Sequence, residues 1–187
     1  LVATDARADG EVGAGNAMFY AIRYTFRRMI DSDSFRDAMR AWATGIAIMT
    51  ARTPTERHGM TVNSFTSVSL DPPLVLVCVQ NNLHLMSLIR ESGAFALSIL
   101  RADQAEWSRH FATPGAEQAD RFAGFETIAA VTGAPILRDA LAYFDCQAEA
   151  YHPGGTHTII VARVAAAERY EGEPLLYWNR DYRQLKS

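Results

Sequence analysis

The sequence predicts a mainly β fold, a small antiparallel barrel with short helical excursions, on three observations. Short apolar or alternating runs recur along the chain, separated by Gly, Pro, Asn and Asp. They are not regularly interleaved with long amphipathic helices, which disfavours a doubly wound parallel sheet. No internal repeat, low-complexity tract or linker divides the 187 residues, a length that suits one domain.

The elements follow in order. Residues 1–16 are small, polar and Gly/Ala-rich, with neither the basic start nor the apolar middle of a signal peptide. Met18 to Ile30 mixes aromatics with Arg23, Arg27 and Arg28. It fits a short amphipathic helix, or equally a vector or start-codon artefact. Residues 1–30 are therefore taken as an N-terminal extension, in part mobile, and 31–187 as the functional domain. Phe35, Ala38, Met39 and Trp42 share one helical face, and Ser34 with Asp37 makes a capping-box-like start, so a helix is expected over 34–43, ending near Thr44-Gly45. Ile46 to Thr50 reads as a strand and Ala51 to Gly59 as a polar hairpin loop. Residues 60–69 alternate weakly, and Asp71-Pro72-Pro73 breaks the chain.

Leu74 to Val79 is apolar on both faces, the signature of a central, doubly buried strand. Leu83 to Glu91 reads as a helix closing at Ser92-Gly93, and Ala94 to Leu100 as a strand. Asp103 with Glu106 reads as the capped start of a helix that carries Trp107, His110 and Phe111 on one side. Residues 113–135 are loop-rich, with Pro114, Gly115, Gly124, Gly133 and Pro135. Tyr143 to Ala150 sets Phe144, Cys146 and Ala148 against Asp145, Gln147 and Glu149, a half-buried strand. His157 to Val164 and Pro174 to Trp178 are two more strands.

Composition narrows the function. Hydrophobic residues make up 49% of the chain, enough to bury a core. The net charge of -3 and pI near 6.0 show no basic excess for nucleic acid or an anionic membrane. The longest apolar run, Leu74 to Val79, is too short to span a bilayer. Cys78 and Cys146 have no second Cys at metal spacing and read as buried free thiols of a cytoplasmic protein. The chain lacks G-x-G-x-x-G, P-loop, G-x-S-x-G and H-E-x-x-H motifs. His152 and His157 flank a Pro-Gly-Gly turn that brings no carboxylate or thiol with it, so no metal is expected.

The informative stretch is Gly59 to Pro73 (GMTVNSFTSVSLDPP), followed by the apolar strand and Gln80-Asn81-Asn82. Thr61, Asn63, Ser64, Thr66, Ser67 and Ser69 place short hydrogen-bonding side chains where a purely structural strand prefers β-branched and aromatic residues. A polar edge strand with a turn accounts for this composition equally well. The other reading is a flat ligand with many acceptors and an anionic end. The helix starting near Leu83 would turn its N-terminus toward the Gln80–Asn82 turn, and a helix N-terminus holds an anion without Arg or Lys.

These blocks resemble the short flavin reductases that partner two-component aromatic monooxygenases, including the 4-hydroxyphenylacetate 3-monooxygenase reductases. The carrying residues are FRDAMRAWATGIAIMT (35–50), GMTVNSFTSVSLDPPLVLVCV (59–79), QNNLHLMSLI (80–89), FALSIL (95–100), RHFA (109–112), DRFAG (120–124), LAYFDCQ (141–147), GGTHTIIVARV (154–164) and PLLYWNRDYRQL (174–185). The resemblance implies an FMN-binding split β-barrel and a homodimer with flavin near the subunit interface. An aromatic set of Phe65, Phe95, Phe111, Phe125 and Trp178, large for one small barrel, agrees with a dimer.

The resemblance also implies roles. Thr61, Val62, Asn63, Ser64 and Phe65, with Ser67 and Ser69, would line the flavin ring and ribityl chain. Gln80, Asn81, Asn82 and His84 would cradle the phosphate, although many relatives carry Lys or Arg where Asn81-Asn82 stands. His157, in a Gly-x-His element that opens a strand, would position the nicotinamide. Tyr182 and Arg183 are further candidates for the dinucleotide, or else part of a C-terminal hairpin packed on the barrel. The implied activity is NAD(P)H-dependent reduction of FMN or FAD, the reduced flavin diffusing to a partner monooxygenase. Hydride would pass from nicotinamide C4 to flavin N5, which needs alignment rather than a nucleophile. A split-barrel flavoprotein acting as an electron carrier, without NAD(P)H turnover, is the alternative.

Overall fold

The computed structural model describes residues 30–113 and 120–185. Residues 1–29, Pro114 and Gly115 lie outside the described residues, and with them most of the expected N-terminal extension. The chain is parted between Met39 and Arg40 into two units. In the first, helix α1 spans Ser32–Met39. Its cap is Asp31, not Ser34: Asp31 Oδ1 accepts the N–H groups of Asp33 and Ser34 at 3.1 and 2.8 Å. The helix ends at Met39, short of the Trp42 that the spacing assigned to its face.

The second unit is mainly β with two short helices. In chain order it runs β1 (Thr44–Gly45), β2 (Ala47–Arg52), β3 (Arg57–Val62), β4 (Phe65–Leu70), β5 (Pro73–Gln80), α2 (His84–Ser92), β6 (Ala94–Ile99) and α3 (Ala105–Ala112). Then come β7 (Thr127–Ile128), β8 (Ile136–Leu137), β9 (Ala142–Gly154), β10 (His157–Arg169), β11 (Leu176–Trp178) and β12 (Asp181–Arg183). A seven-stranded antiparallel sheet has the order β3-β2-β6-β9-β10-β5-β4; β1, β11 and β12 form a second sheet and β7 with β8 a third.

The strand order dictates the shape of the large sheet. β3 and β4 are its two edges, yet Asn63-Ser64 alone connects them. Six interstrand spacings of ~4.8 Å would part the edges of a flat sheet by about 29 Å. Three residues of chain reach about 11 Å. The sheet must therefore roll until its edges approach, without a strand pair between them to close it. Ser64 extends the β4–β5 ladder by one position through its side chain, donating to the Cys78 carbonyl (2.8 Å) and accepting from the Cys78 N–H (3.3 Å) on β5.

The rolled sheet encloses the main core. Met49, Val62, Val75, Val77, Phe95, Leu97 and Ile160 fill it, together with Leu85, Leu88 and Ile89 of α2. The helix runs as expected and ends at Gly93, whose φ of 68° is the left-handed cap that glycine adopts most cheaply. A second cluster lies on the outer face of β2, where Ile46, Ile48, Leu100, Phe111, Phe122 and Leu175 pack together.

The doubly buried strands are therefore β2, buried from Ala47 to Ala51, and β6, buried from Ala94 to Ser98. The run Leu74 to Val79 is one strand from the edge: Val75, Val77 and Val79 are buried, while Leu74, Leu76 and Cys78 are only half-buried. The polar loop expected over 51–59 shrinks to residues 53–56, because β2 and β3 pair as far as Arg52 with Arg57. Helix α3 starts at Gln104 without a side-chain cap. Asp103 instead takes Arg101 as ion partner at 3.0 Å, which holds its carboxyl below the usual range.

Asp145 departs from its expected polar face. It is fully buried and accepts the N–H groups of Val131 and Thr132 at 2.7 and 2.8 Å, which ties down the loop before β8. Phe95 and Phe111 are fully buried within one chain, so they need no second subunit to cover them.

Arg121 is buried with no carboxylate. Its guanidinium donates to the carbonyls of Phe111 (3.0 Å) and Thr113 (2.8 Å) at the end of α3 and of Gly59 (3.4 Å) on β3. Gly59 stands against the rings of this cluster. A Cβ there would meet Phe111 at 3.0 Å and Phe122 at 3.2 Å, inside normal contact. Gly59→Ala is accordingly expected to destabilise the fold by about 1–3 kcal/mol through overpacking. Urea unfolding measures this, and a midpoint equal to wild type would show that the rings yield freely.

Candidate functional site

The polar block begins on β3. Thr61 Oγ1 donates to the Ser108 carbonyl of α3 at 2.6 Å, and Val62 points into the core at 6% exposure. Asn63 Nδ2 donates to Thr44 Oγ1 on β1 at 3.3 Å. Ser64 makes the Cys78 bonds described above. Phe65 opens β4 with its ring 5.2 Å from that of Phe144. A bulge at Val68 separates Ser67 from Ser69 in the β4–β5 register. The Ser67 and Ser69 hydroxyls have no hydrogen-bond partner among the described residues. The chain thus uses Thr61, Asn63 and Ser64 for its own cohesion and leaves the serines of β4 available.

The second group lies where β5 ends. Gln80 and His157 are directly opposed partners on β5 and β10. Asn81 fastens this rung to the β9–β10 hairpin. Its N–H donates to the Thr156 carbonyl (3.0 Å), its Nδ2 to the Gly155 carbonyl (3.3 Å), and its Oδ1 accepts from the Thr158 hydroxyl (2.8 Å). Gly155 has φ of 67°, which a two-residue turn with a left-handed first position requires. The turn delivers His157 to the barrel rim, exposed, with Nδ1 2.9 Å from the Thr156 hydroxyl. His152 instead pairs with Ile159, so the two histidines are not opposed.

Helix α2 starts beside this rung. Leu83 N–H bonds the Gln80 carbonyl at 3.3 Å and Met86 N–H the Leu83 carbonyl at 3.0 Å. His84 and Leu85 are left as first-turn donors without an acceptor on the described chain. A cleft of about 750 Å³ opens here, lined by Glu56, Asn81, Asn82, His84, Ser87 and Arg90 among others. Glu56 Oε2 lies 3.2 Å from His84 Nε2, and the Arg90 guanidinium sits 5.0 Å over the Tyr151 ring. Sequence reading missed Glu56, Ser87 and Arg90. Ser87 and Arg90 follow His84 at three-residue steps on α2, a signal that places all three on one helical face.

A third group completes the surface. Tyr182 hydroxyl donates to Ser108 Oγ at 2.9 Å, and the Arg109 guanidinium lies 4.8 Å over its ring. Arg183 lies 5.7 Å over Trp178. Both expectations for Tyr182 meet here, because the C-terminal hairpin packs on the barrel through the same Ser108 that holds Thr61.

The groups form one strip: Tyr182, Ser108, Thr61, Asn63, Ser64, Cys78, Gln80, His157. Cys78 and Gln80 are two residues apart on β5, about 7 Å. The strip offers hydroxyls, amides and aromatic rings, and a cation stands at its α2 end. The Cys146 thiol lies outside the strip, buried, and that burial pushes it up to about 12, with the Asp145 charge adding to it. A surface of hydroxyls, amides and rings orients flat, acceptor-rich ligands.

Comparison with known proteins agrees with this chemistry. The flavin reductase-like domain model matches residues 39–186. The NADH-dependent flavin reductase StyB of Pseudomonas fluorescens is 41% identical over 157 residues, covering 82% of this chain and 89% of the relative. The reductase component of 4-hydroxyphenylacetate 3-monooxygenase from Thermus thermophilus is 38% identical over 154 residues, 82% of this chain and 96% of the relative. Among solved structures, the NADH:FAD oxidoreductase SgcE6 of Streptomyces globisporus, in complex with NAD and FAD fragments, superposes with a TM-score of 0.78 at 32% identity, covering 86% of this chain and 98% of that one.

Ser64 serves the fold whatever the strip binds. Ser64→Ala is expected to lower unfolding stability by about 1–2 kcal/mol, because it strips a donor and an acceptor from Cys78. Chemical denaturation reads the loss; an unchanged midpoint would show that the β4–β5 ladder needs no side-chain extension at Ser64.

Proposed function

The chain belongs to the flavin reductase-like family, and from that premise we propose that it is an NAD(P)H:flavin oxidoreductase, reducing FMN or FAD and supplying the reduced flavin to a partner monooxygenase. The single observation that carries the reading beyond membership is the rung that opposes Gln80 to His157, beside the α2 cleft. It joins a place for an anionic group to an imidazole at the rim where a second ligand stacks. StyB and SgcE6 are both named for NADH, which makes NADH the first reductant to try.

The residues present fit a flavin. The hydroxyls of Ser67 and Ser69 have no competing partner among the described residues. The His84 N–H group, Ser87 and Arg90 suit a phosphate end, and Asn82 lines the same cleft. When bound, flavin supplies the N5 that accepts hydride from nicotinamide C4. The chain's share is alignment. Phe65, Thr61 and Asn63 border the ring end, Val62 backs it from the core, and Asn81 locks the hairpin that carries His157. His157 holds the nicotinamide amide or a ribose hydroxyl, and no residue is required as proton acceptor.

The reading extends to assembly and place. Residues 31–187 act as the reductase domain, with 1–30 as an extension to it; the family match over 39–186 supports the first. The working form is a homodimer. β4 is an unpaired edge whose Val68 and Leu70 are 50% and 93% exposed, next to the half-buried outer face of β5, a surface apolar enough to bury. No described helix is long and apolar enough to cross a membrane. The protein works in the cytoplasm, where nicotinamide nucleotides and reduced thiols are found.

Catalytic amounts of the protein are expected to bleach added FMN or FAD with NADH under anaerobic conditions. In the same assay His157→Ala should raise KM for NADH or lower kcat by about tenfold, the scale of one lost hydrogen bond to a partly buried ligand, while flavin affinity holds. Normal NADH kinetics with weakened flavin binding would move His157 to the flavin and the nicotinamide toward Tyr182. Light scattering at micromolar concentration should report twice the chain mass; an active monomer would end the dimer reading.

A further inference from the structure

We propose that Glu56 sets the choice between the two flavins, favouring FAD over FMN. The inference rests on the reading that the α2 cleft takes the phosphate end of the flavin.

Glu56 is held in place by the β2–β3 turn. Thr53 N–H donates to the Glu56 carbonyl at 2.8 Å, and Thr53 Oγ1 accepts from the N–H groups of Thr55 (3.4 Å) and Glu56 (3.3 Å). From that turn the carboxylate reaches α2, 3.2 Å from His84 Nε2, in the same cleft as Ser87 and Arg90. It is the only carboxylate among the described lining residues. A carboxylate accepts hydrogen bonds and gives none. In a cleft otherwise furnished for an anion, it repels part of what the cleft attracts.

The two flavins meet this charge differently. FMN ends in a phosphate monoester carrying about 1.5 to 2 negative charges at neutral pH. In FAD the same phosphate carries one ester and one anhydride bond to the adenylate phosphate and lacks the second ionisation, so the charge is divided between two phosphates and less of it falls beside Glu56. FAD also extends into an adenosine whose ribose diol supplies the donors that a carboxylate takes, as acidic residues do for nucleotide ribose elsewhere. The size of the cleft agrees: about 750 Å³ is far more than one phosphate fills and falls in the range of a whole small ligand. Both effects act in the same direction, against the monoester and for the dinucleotide.

The test is a fluorescence titration of FAD, FMN and riboflavin against wild type, Glu56→Gln and Arg90→Ala, with circular dichroism to verify folding. Wild type should bind FAD more tightly than FMN. Glu56→Gln keeps the shape and the contact with His84 but removes the charge. It should tighten FMN by about three- to tenfold, the range for one charge in a partly solvated cleft. FAD should stay level or weaken, and riboflavin should not respond. Arg90→Ala should weaken both phosphorylated flavins and leave riboflavin alone. If Arg90→Ala does so but Glu56→Gln leaves the FAD-to-FMN ratio at its wild-type value, the cleft holds phosphate and the proposal alone falls. If neither variant changes any of the three affinities, the phosphate lies elsewhere and the parent reading falls too. A wild-type preference for FMN also overturns the proposal.

Discussion

Two residues, Asn63 and Ser64, join the opposite edges of a seven-stranded sheet, and the rest of the structure follows from that connection. A chain this short cannot bridge the edges of a flat sheet, so the sheet is rolled. Rolling gives it an inside, and the inside is the main core. It also leaves an opening between β3 and β4, since no backbone ladder closes it. A backbone ladder would bury its own polar groups and present none to a ligand. An opening without a ladder keeps polar groups at the surface. Within the run over 61–69, Thr61, Asn63 and Ser64 serve the fold through bonds to Ser108, Thr44 and Cys78, while the Ser67 and Ser69 hydroxyls have no partner among the described residues.

The same economy shows at the other end of the strip. Asn81 satisfies three hydrogen bonds with the β9–β10 hairpin, which fixes His157 relative to the start of α2. Neither element alone places the imidazole. The hairpin needs Gly155 to turn, and the turn needs Asn81 to hold its angle to the barrel. Buried charges are handled alike. Asp145 and Arg121 each bond neutral groups rather than each other, backbone amides for one and, through the two terminal guanidinium nitrogens, carbonyls for the other. They pin the loops that flank the barrel and leave the ionic chemistry of the cleft to Glu56, His84 and Arg90.

Local features were legible in the sequence wherever one short-range rule decided them. The α2 helix and its Gly93 cap, the strand alternation of β9 and the turn at Asp71-Pro72 depend on neighbours a few residues away. Features decided by strand order were not. Leu74 to Val79 and Ile46 to Ala51 are both apolar runs, and nothing local says which is covered on its second face. α3 and the Phe111 cluster settle it for β2. Asp145 alternates perfectly with its polar neighbours, yet lies under a loop that no periodicity foretells. The site divides the same way. The candidates on β3, β4 and the α2 turn are contiguous in sequence, which is what allowed them to be proposed from it. Glu56 and Ser108 join only through the roll of the sheet, and Arg90 required attention to the helical face after His84.

The balance of the site also bears on release. A reductase that supplies another enzyme must let its product go, so binding energy beyond that needed for alignment works against it. Here Thr61, Asn63, Ser64 and Asn81 already have partners within the chain. A ligand entering the strip exchanges or shares those bonds rather than gaining each in full, and the net return per contact is small. Arg90 stands with the Glu56 carboxylate in the same cleft, which trims its attraction for an anion. What remains is geometry: a rolled sheet, a fixed hairpin and a helix start set in register with one another.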